Sequence, residues 1–316
     1  MLLSFYYSLM AFFERVKPLG DKRSRYKFIR AWNTVIYMLV SVLENILIKY
    51  IPLSAIDSRK IDKRCQFDKC ITASLTTFPA RINEVYYAVK SILFQTIPPQ
   101  RTLLWLAESQ FPTKQIPSNL GELCKYGLEI RFCDDLRSHK KYYYALLDQE
   151  ENELVITFDD DIIYHPHTIE RLIEKHNEYP QNIICSQVHV MTFDENGNLN
   201  PYNLWALESD GLGQPNNRYM PLTGSGCLYP YNIMPKVTFD IDKIHSLAFS
   251  ADDLWIGCTI IQDGQKICKT DKVSHTFSVV GDSQVETLSQ LNCIGHGNDL
   301  VMEKLQSEFG LIRNEI

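Results

Sequence analysis

Residues 153–166 read ELVITFDDDIIYHP, and this stretch decides the fold class. After the leading glutamate the run is apolar or β-branched, and turn residues end it, which predicts a short buried strand. Three aspartates follow at once, and HPHTIERLIEKHNEY (165–179) then has the apolar spacing of a helix. A buried strand, a polar turn and a helix in direct succession predict one unit of an α/β fold.

Segments of the same two kinds alternate on both sides of this stretch. Predicted strands are CITASLTTF (70–78), RTLLWLAE (101–108), LEIRFC (128–133) and NIICSQV (182–188), and predicted helices are INEVYYAVKSILFQT (82–96) and KKYYYALLDQE (140–150). This alternation predicts βαβ units and a mostly parallel, Rossmann-like sheet flanked by helices. From about Met191 the chain is rich in Gly, Pro and Asn, which predicts long loops over the carboxyl end of the sheet, where such folds bind ligands.

The triple aspartate at 159–161 is the strongest chemical signal in the sequence. Three like charges at one strand end repel each other unless a cation neutralises them, and clustered carboxylate oxygens favour Mg²⁺ or Mn²⁺. On an extended backbone Asp159 and Asp161 point to the same side. The alternative is a solvated turn that caps the next helix.

A second acidic pair lies in SADDLWIG (250–257). Asp252 and Asp253 precede an apolar run, and carboxylates at a helix start are favoured by the helix dipole alone. The functional interpretation is a general base that faces the metal site. The triple aspartate at 159–161 favours the interpretation of the acidic pair as a general base over that of a simple helix start.

Composition and charge exclude several classes of protein. The chain has 316 residues, of which 45% are hydrophobic and 22% charged, as in an ordinary globular protein rather than a disordered or collagen-like one. Its net charge of -6 provides no basic field for nucleic acid, so we expect no nucleic-acid partner. Nine cysteines without a C-x-x-C pair exclude a disulfide framework and a zinc module, and predict a cytoplasmic location.

The first 65 residues differ in charge from the rest. They hold twelve Lys/Arg and five Asp/Glu, a local balance of +7, which leaves -13 for the remainder. The apolar start lacks the features of a signal peptide, and the apolar run at 35–42 is shorter than the roughly 20 residues that span a bilayer. We predict either an amphipathic helix on the inner face of the plasma membrane or a helical hairpin packed on the main domain.

The order of eight motifs resembles a known family. They are SLTTFPARI (74–82), SILFQT (91–96), LLWLAE (103–108), LEIRFCDDLRSHKK (128–141), VITFDDDIIY (155–164), PYNLW (201–205), TGSGCLYP (223–230) and SADDLWIG (250–257). Together they cover roughly residues 70–270 and resemble the nucleotide-sugar glycosyltransferases of GT-A type, close to the family-2-like capsule and lipopolysaccharide enzymes of bacteria. The resemblance implies a GT-A domain at 66–280, after an extension at 1–65 and before a helical tail at 281–316.

The resemblance also implies roles for residues at matching positions. FDDD stands at the family's D-x-D motif, which makes Asp161 a metal ligand and Asp159 a contact to ribose or metal. The acidic pair supplies the base of inverting members, with Asp253 favoured over Asp252. Late histidines often complete such metal sites, which nominates His275 or His296. Implied nucleotide-sugar contacts are Thr76, Thr77, Arg81, Asp134, Asp135, Lys140, Lys141, Asp159, Asp160, Gly224, Ser225 and Gly226.

The implied activity is Mn²⁺- or Mg²⁺-dependent transfer of a hexosyl group from a nucleotide-sugar donor, a UDP-sugar above all, to a glycan or lipid-linked acceptor. The reaction is expected to invert the anomeric centre and to serve the synthesis of a surface polysaccharide. Two other classes stay open. One is a metal-dependent phosphohydrolase, although DDDIIYHP lacks the Gly-Thr-type turn of the aspartyl enzymes. The other is a catalytically inactive assembly subunit that keeps only the fold.

Overall fold

The structure is a computed structural model that describes residues 2–16, 39, 42–56, 69–209, 213–271, 278–279, 297–310 and 312. The described residues form twelve strands: β1 (Cys70–Thr76), β2 (Arg101–Ala107), β3 (Leu128–Cys133), β4 (Glu153–Phe158), β5 (Ile162–Ile163), β6 (Ile183–Cys185), β7 (Val188–Val190), β8 (Ala206–Ser209), β9 (Tyr219–Pro221), β10 (Ser225–Tyr229), β11 (Ile267–Lys269) and β12 (Ser278–Val279). Their helices are α1 (Leu2–Val16), α2 (Val85–Leu93), α3 (Ser118–Leu123), α4 (Lys140–Leu147), α5 (Thr168–Glu178), the single turn α6 (Ile241–Lys243), α7 (Asp252–Gln262) and α8 (Gly297–Phe309). Residues 42–50 are also helical.

A seven-stranded sheet forms the centre of the described domain, in the order β11-β6-β10-β4-β1-β2-β3. Strands β4, β1, β2 and β3 pair in parallel, as do β11 and β6, and β10 is antiparallel to both of its neighbours. The predicted α/β class with a mostly parallel central sheet is confirmed. Because β1 to β4 run in one direction, their carboxyl ends meet at one edge of the sheet.

Helices cover both faces of this sheet. Alternate side chains of β4 point to opposite faces, so Ile156 and Phe158 join one core cluster and Val155 joins the other. The first cluster lies under α2 and α5, and the second lies under α4, α7 and α8. Strands buried on both faces explain why ELVITF is a continuous apolar run rather than an alternating one.

The chain beyond residue 182 differs from the prediction at three places. The single strand predicted at 182–188 is two strands, since β6 belongs to the central sheet and β7 belongs to a small sheet of order β8-β7-β9. The long loops predicted after Met191 contain β8 and β9. Ser225–Tyr229, which lie in the segment predicted as loops, form β10, a central strand between β4 and β6, because pairing with two distant strands outweighs the weak strand propensity of the Gly and Ser residues.

The described part of the N-terminal extension packs on the sheet domain. Tyr6 and Met10 of α1 are buried in the first core cluster, together with Ile48 from the helical residues 42–50. The hydroxyl of Tyr7 donates to the carbonyl of Phe94, which follows α2. Among the described residues, no helix has both the length and the apolar character that crossing a bilayer requires.

Candidate active site

The edge where β1 and β4 end carries Arg81 and the three aspartates. Strand β1 leads into a short turn of 3-10 helix, Pro79–Arg81, which directs Arg81 toward the end of β4. The Arg81 guanidinium lies 2.9 Å from Asp160 Oδ1 and 2.9 Å from Asp161 Oδ2. The buried Asp160 also accepts a 2.5 Å hydrogen bond from the Thr77 hydroxyl. Asp160 therefore holds Arg81 and Thr77 together.

The three aspartates at the end of β4 pair with two different cations. The chain leaves β4 at Phe158 and bends at residues 160 and 161, so Asp160 and Asp161 share Arg81. Asp159 turns to another cation, since its Oδ1 accepts a 2.7 Å hydrogen bond from Lys141 Nζ. Asp159 and Asp161 therefore pair with different cations, while the charge of Asp159 still raises the pKa of Asp161.

Lys141 connects the two acidic motifs that lie far apart in the sequence. It is the second residue of α4 and is buried. Its ammonium lies 2.7 Å from Asp159 Oδ1 and 3.0 Å from Asp252 Oδ2. Burial by itself lowers the pKa of Lys141, but Asp159 and then Asp252 raise that pKa above its ordinary value. The lysine therefore stays charged and balances one carboxylate from each motif.

Asp252 and Asp253 are neighbours in the first turn of α7, and their pKa values shift in opposite directions. Burial raises the pKa of Asp252, but Lys141 and then His139 outweigh it and bring that pKa below its usual range. For Asp253, burial and the charge of Asp252 raise the pKa to about 7. One carboxyl is thus permanently ionised, and the other is poised to accept a proton near neutral pH.

Thr223 joins these two carboxyls and was not among the residues predicted from the sequence. Its hydroxyl lies 2.5 Å from Asp253 Oδ1 and 2.8 Å from Asp252 Oδ2, and its backbone N–H donates to Asp253 Oδ1 at 2.8 Å. A hydroxyl has one proton, so it can donate to only one carboxylate at a time. The hydrogen bonds from Thr223 lower the pKa of Asp253, but burial and the charge of Asp252 outweigh them.

His139 anchors the segment that precedes Lys141. Its ring is fully buried, with Nε2 2.9 Å from the carbonyl oxygen of Ala248 and Nδ1 3.0 Å from the Tyr142 hydroxyl. Burial lowers the pKa of His139 to about 4, so the imidazole is neutral at physiological pH. The histidine thereby fixes the start of α4 against the segment that leads into α7. Its sequence signal was only its place in RSHKK, which also fits an exposed turn.

Gly224 comes close to Asp159 where β10 begins. A β-carbon at residue 224 would collide with the Asp159 carboxylate, so only glycine allows this approach. The Tyr164 hydroxyl holds the two segments together, since it accepts from Asp159 N at 2.6 Å and donates to Gly224 O at 2.5 Å. Ser225 and Gly226 lie inside β10 rather than in a loop, and a β-carbon at Gly226 would face Thr168 of α5. Of the implied nucleotide-sugar contacts in this motif, Gly224 is thus the residue that lies against the acidic cluster.

The remaining predicted nucleotide contacts lie around the end of β3. Asp134 is exposed directly after that strand. Asp135 Oδ1 accepts from Lys140 Nζ at 2.7 Å and from the backbone N–H of Arg137 at 2.9 Å. Lys140 therefore points to Asp135, while its neighbour Lys141 points into the acidic cluster. Thr76 donates to the Trp105 carbonyl at 2.8 Å and belongs to the sheet.

The carboxylates at the end of β4 fit a divalent cation that is completed by substrate oxygens. Despite Arg81, burial and the charges of Asp159 and Asp160 raise the pKa of Asp161 to about 6, so its charge is incompletely balanced. Mg²⁺ is commonly bound by one or two carboxylates plus substrate phosphates. Within the described residues, no three acidic, His or Cys side chains are grouped closely enough to hold a metal by themselves. The predicted ligand His275 and its alternative His296 lie outside the described residues.

Substituting the two neighbouring aspartates should change stability at pH 8 in opposite directions. Ionising Asp253 in the folded state costs free energy at this pH, because its folded pKa is raised, so Asp253→Asn should increase the free energy of unfolding. The lowered pKa of Asp252 means that its ionised form stabilises the fold, so Asp252→Asn should decrease that free energy. Urea unfolding at pH 8 measures both effects.

The pH dependence separates these two effects further. The gain from Asp253→Asn should vanish as the pH falls from about 7 to about 4, where both states are protonated. The loss from Asp252→Asn should persist until the pH falls below about 4, the ordinary value of an aspartate. Equal losses of stability from both substitutions would contradict the opposite pKa shifts.

The sequence matches no protein-family model and no curated protein. Among solved structures, the chain is similar to residues 1–349 of S. aureus TarS, with a TM-score of 0.41 and 12% sequence identity. The likeness covers 66% of this chain and spans 59% of the length of that chain.

Proposed function

We propose that this protein is a metal-dependent glycosyltransferase that moves a sugar from a nucleotide-sugar donor to an acceptor hydroxyl. One observation carries the proposal: buried Lys141 joins the aspartates at the end of β4 to Asp252, beside a carboxyl with a pKa of about 7. The cluster thereby combines charge that can hold a diphosphate–metal unit with a proton acceptor for a hydroxyl. Both lie at the carboxyl edge of the parallel strands, where α/β folds bind ligands.

The donor nucleotide would lie across the carboxyl ends of β1, β3 and β4. The turn that carries Thr77 and Arg81 lies on one side, and exposed Asp134 lies at the end of β3. Arg81 presents a guanidinium near the expected diphosphate, and Asp160 fixes its orientation. Positive charge fixed there stabilises the nucleoside diphosphate as it departs.

Asp161 and Asp159 would hold a Mn²⁺ or Mg²⁺ ion, which when bound supplies positive charge to the diphosphate of the donor. This assignment rests on the raised pKa of Asp161 and on the exposure of the Asp159 carboxylate beside it. Lys141 would fix the position of Asp159 through the 2.7 Å contact between its ammonium and Asp159 Oδ1.

Asp253 is the general base of the proposed reaction. It removes the proton from an acceptor hydroxyl as the oxygen of that hydroxyl bonds to the anomeric carbon. The bond from that carbon to the diphosphate oxygen breaks, and the leaving group takes the electron pair. A carboxyl with a pKa of about 7 is better suited to accept a proton than to act as a permanently ionised nucleophile, which favours inversion. Thr223 holds Asp253 in place through its hydroxyl and its backbone N–H.

The finer assignments follow the motif resemblance rather than the geometry. They are a UDP-sugar as donor, a glycan or lipid-linked molecule as acceptor, and a role in the synthesis of a surface polysaccharide. A screen of radiolabelled nucleotide sugars with Mn²⁺, scored for binding and for transfer to glycan acceptors, tests them together. Release of phosphate without sugar transfer would favour a hydrolase, and donor binding without turnover would favour an inactive subunit.

Asp161→Asn should weaken Mn²⁺ binding by 10-fold or more, since it removes one of two proposed carboxylate ligands, a loss on the order of 1.4 kcal/mol or greater. The fold should survive, because Arg81 keeps its 2.9 Å contact to Asp160. Calorimetric titration of the protein with Mn²⁺ measures the affinity, and transfer in EDTA measures the metal dependence. The exposed Asp148→Asn variant is the control. Full transfer in EDTA by the unmodified protein would refute the metal assignment.

A further inference from the structure

The helical residues 42–50 expose an apolar face. Leu39, Val42, Leu43, Ile46 and Tyr50 are between 41% and 66% exposed, although all five are large and apolar or aromatic. Val42, Leu43, Ile46 and Tyr50 lie along one side of the helical residues 42–50, and Leu39 continues the same spacing in the sequence. We call these five residues the outer stripe.

The opposite side of the same helix is committed to the core. Leu47, Ile48 and Ile51 are buried in the first core cluster, and Glu44 accepts a 3.2 Å hydrogen bond from the hydroxyl of Tyr6. A surface helix of a globular protein normally has one apolar face and one polar face. This helix has apolar residues on both, and it cannot bury the outer stripe by rotating without exposing the inner face.

Charge distinguishes among the partners that could cover the outer stripe. Residues 1–65 carry a local +7, and six of the Lys/Arg residues lie between Lys17 and Arg30, shortly before the stripe. Lys49 is exposed on the same helix. A second copy of the chain would bring two such basic segments together, whereas a surface of anionic lipid attracts them.

We propose that the outer stripe docks on an anionic membrane surface, with its apolar side chains in the headgroup region. Tyr50 suits this position, because an aromatic ring with a hydroxyl partitions to the boundary between headgroups and acyl chains. The remainder of the protein, at -13, would be repelled by the same lipids. Since the helix packs on the sheet domain by its inner face, docking would hold the sheet domain at the membrane surface. This inference does not depend on the proposed enzymatic activity.

The test is flotation of the full-length protein with vesicles of phosphatidylcholine containing 30% phosphatidylglycerol. The double variant Val42→Glu/Ile46→Glu should lose at least 10-fold in vesicle affinity. Two apolar side chains that would enter the membrane surface are replaced by charges of the same sign as the lipid. The control Leu147→Glu/Leu300→Glu makes the same chemical change at two residues that are 54% and 57% exposed outside the stripe, and should bind as the unmodified protein does. Binding should weaken in high salt and on pure phosphatidylcholine.

Three results would overturn this proposal. The first is failure of the unmodified protein to float with anionic vesicles. The second is equal binding by the stripe variant and the control. The third is a dimer in solution that the stripe substitutions convert to a monomer, which would assign the stripe to a second copy of the chain. Circular dichroism and thermal unfolding of both double variants show whether the exposed substitutions leave the fold intact.

Discussion

Asp253→Asn should slow sugar transfer by about 10² to 10⁴, the range for loss of a general base, while donor affinity stays unchanged. The amide cannot accept the proton of the acceptor hydroxyl, but it keeps the shape of the carboxyl and can still accept from Thr223 N. Because the substitution should also stabilise the fold at pH 8, a slow enzyme cannot be attributed to unfolding. Steady-state kinetics with separate measurement of donor binding test this expectation.

The pH profile gives an independent readout of the same residue. If Asp253 is the base, kcat/KM of the unmodified protein should fall below pH about 7, since the protonated carboxyl cannot accept a proton. Burial and the charge of Asp252 raise this pKa, and the charge of Lys141 lowers it. Asp263→Asn, at the opposite end of α7, is the matched control and should keep both rate and profile. An acid limb that survives in Asp253→Asn would place the base elsewhere.

Lys141→Met should destabilise the protein by about 3–5 kcal/mol at neutral pH, the range for breaking a buried ion pair by removing one partner. Methionine retains the length of the side chain but leaves the buried Asp252 without its closest cation. Transfer should fall together with stability, because Asp159 and Asp252 then repel each other across the site. Urea unfolding measures the stability, and activity is compared at a temperature where the variant remains folded.

Lys140→Met is the comparison that makes this result specific. Lys140 is as buried as Lys141, begins the same helix, and pairs with Asp135, which is partly exposed to water. Its loss should cost less stability, since water can solvate the remaining carboxylate. Equal losses in the two methionine variants would show that Lys141 has no special place between the two acidic motifs.

The sequence predicts the parallel strands of the sheet well, because each strand is recognisable from its own residues and those directly beside it. The bounds of β3 and β4 agree with the predicted strands LEIRFC and ELVITF, since polar or glycine residues lie directly on each side of both apolar runs. Strand β10 could not be recognised in the same way. Its Ser, Gly and Cys residues have weak strand propensity, and it is a strand because β4 and β6 both pair with it.

The site shows the same division between local and distant information. The residue types and the strand ends they follow are visible in FDDD and SADD, and they suffice to nominate Asp161 and Asp253. The pairing of Lys141 with Asp252 and the opposite pKa shifts of Asp252 and Asp253 depend on burial and on side chains more than 100 residues apart. Such properties arise only when the chain has folded, so no local pattern encodes them.

The insertion of β10 beside β4 also has a consequence for synthesis on the ribosome. Thr157 of β4 and Cys227 of β10 pair across the sheet and are 70 positions apart. At roughly 5–20 residues per second, the ribosome needs about 4–14 s to deliver the partner of β4 after β4 itself has emerged. During that interval ELVITF presents an unpaired, apolar edge of the kind that joins with other chains. We therefore expect the soluble yield of this protein to depend on chaperones that shield nascent strands more than on the stability of the finished sheet.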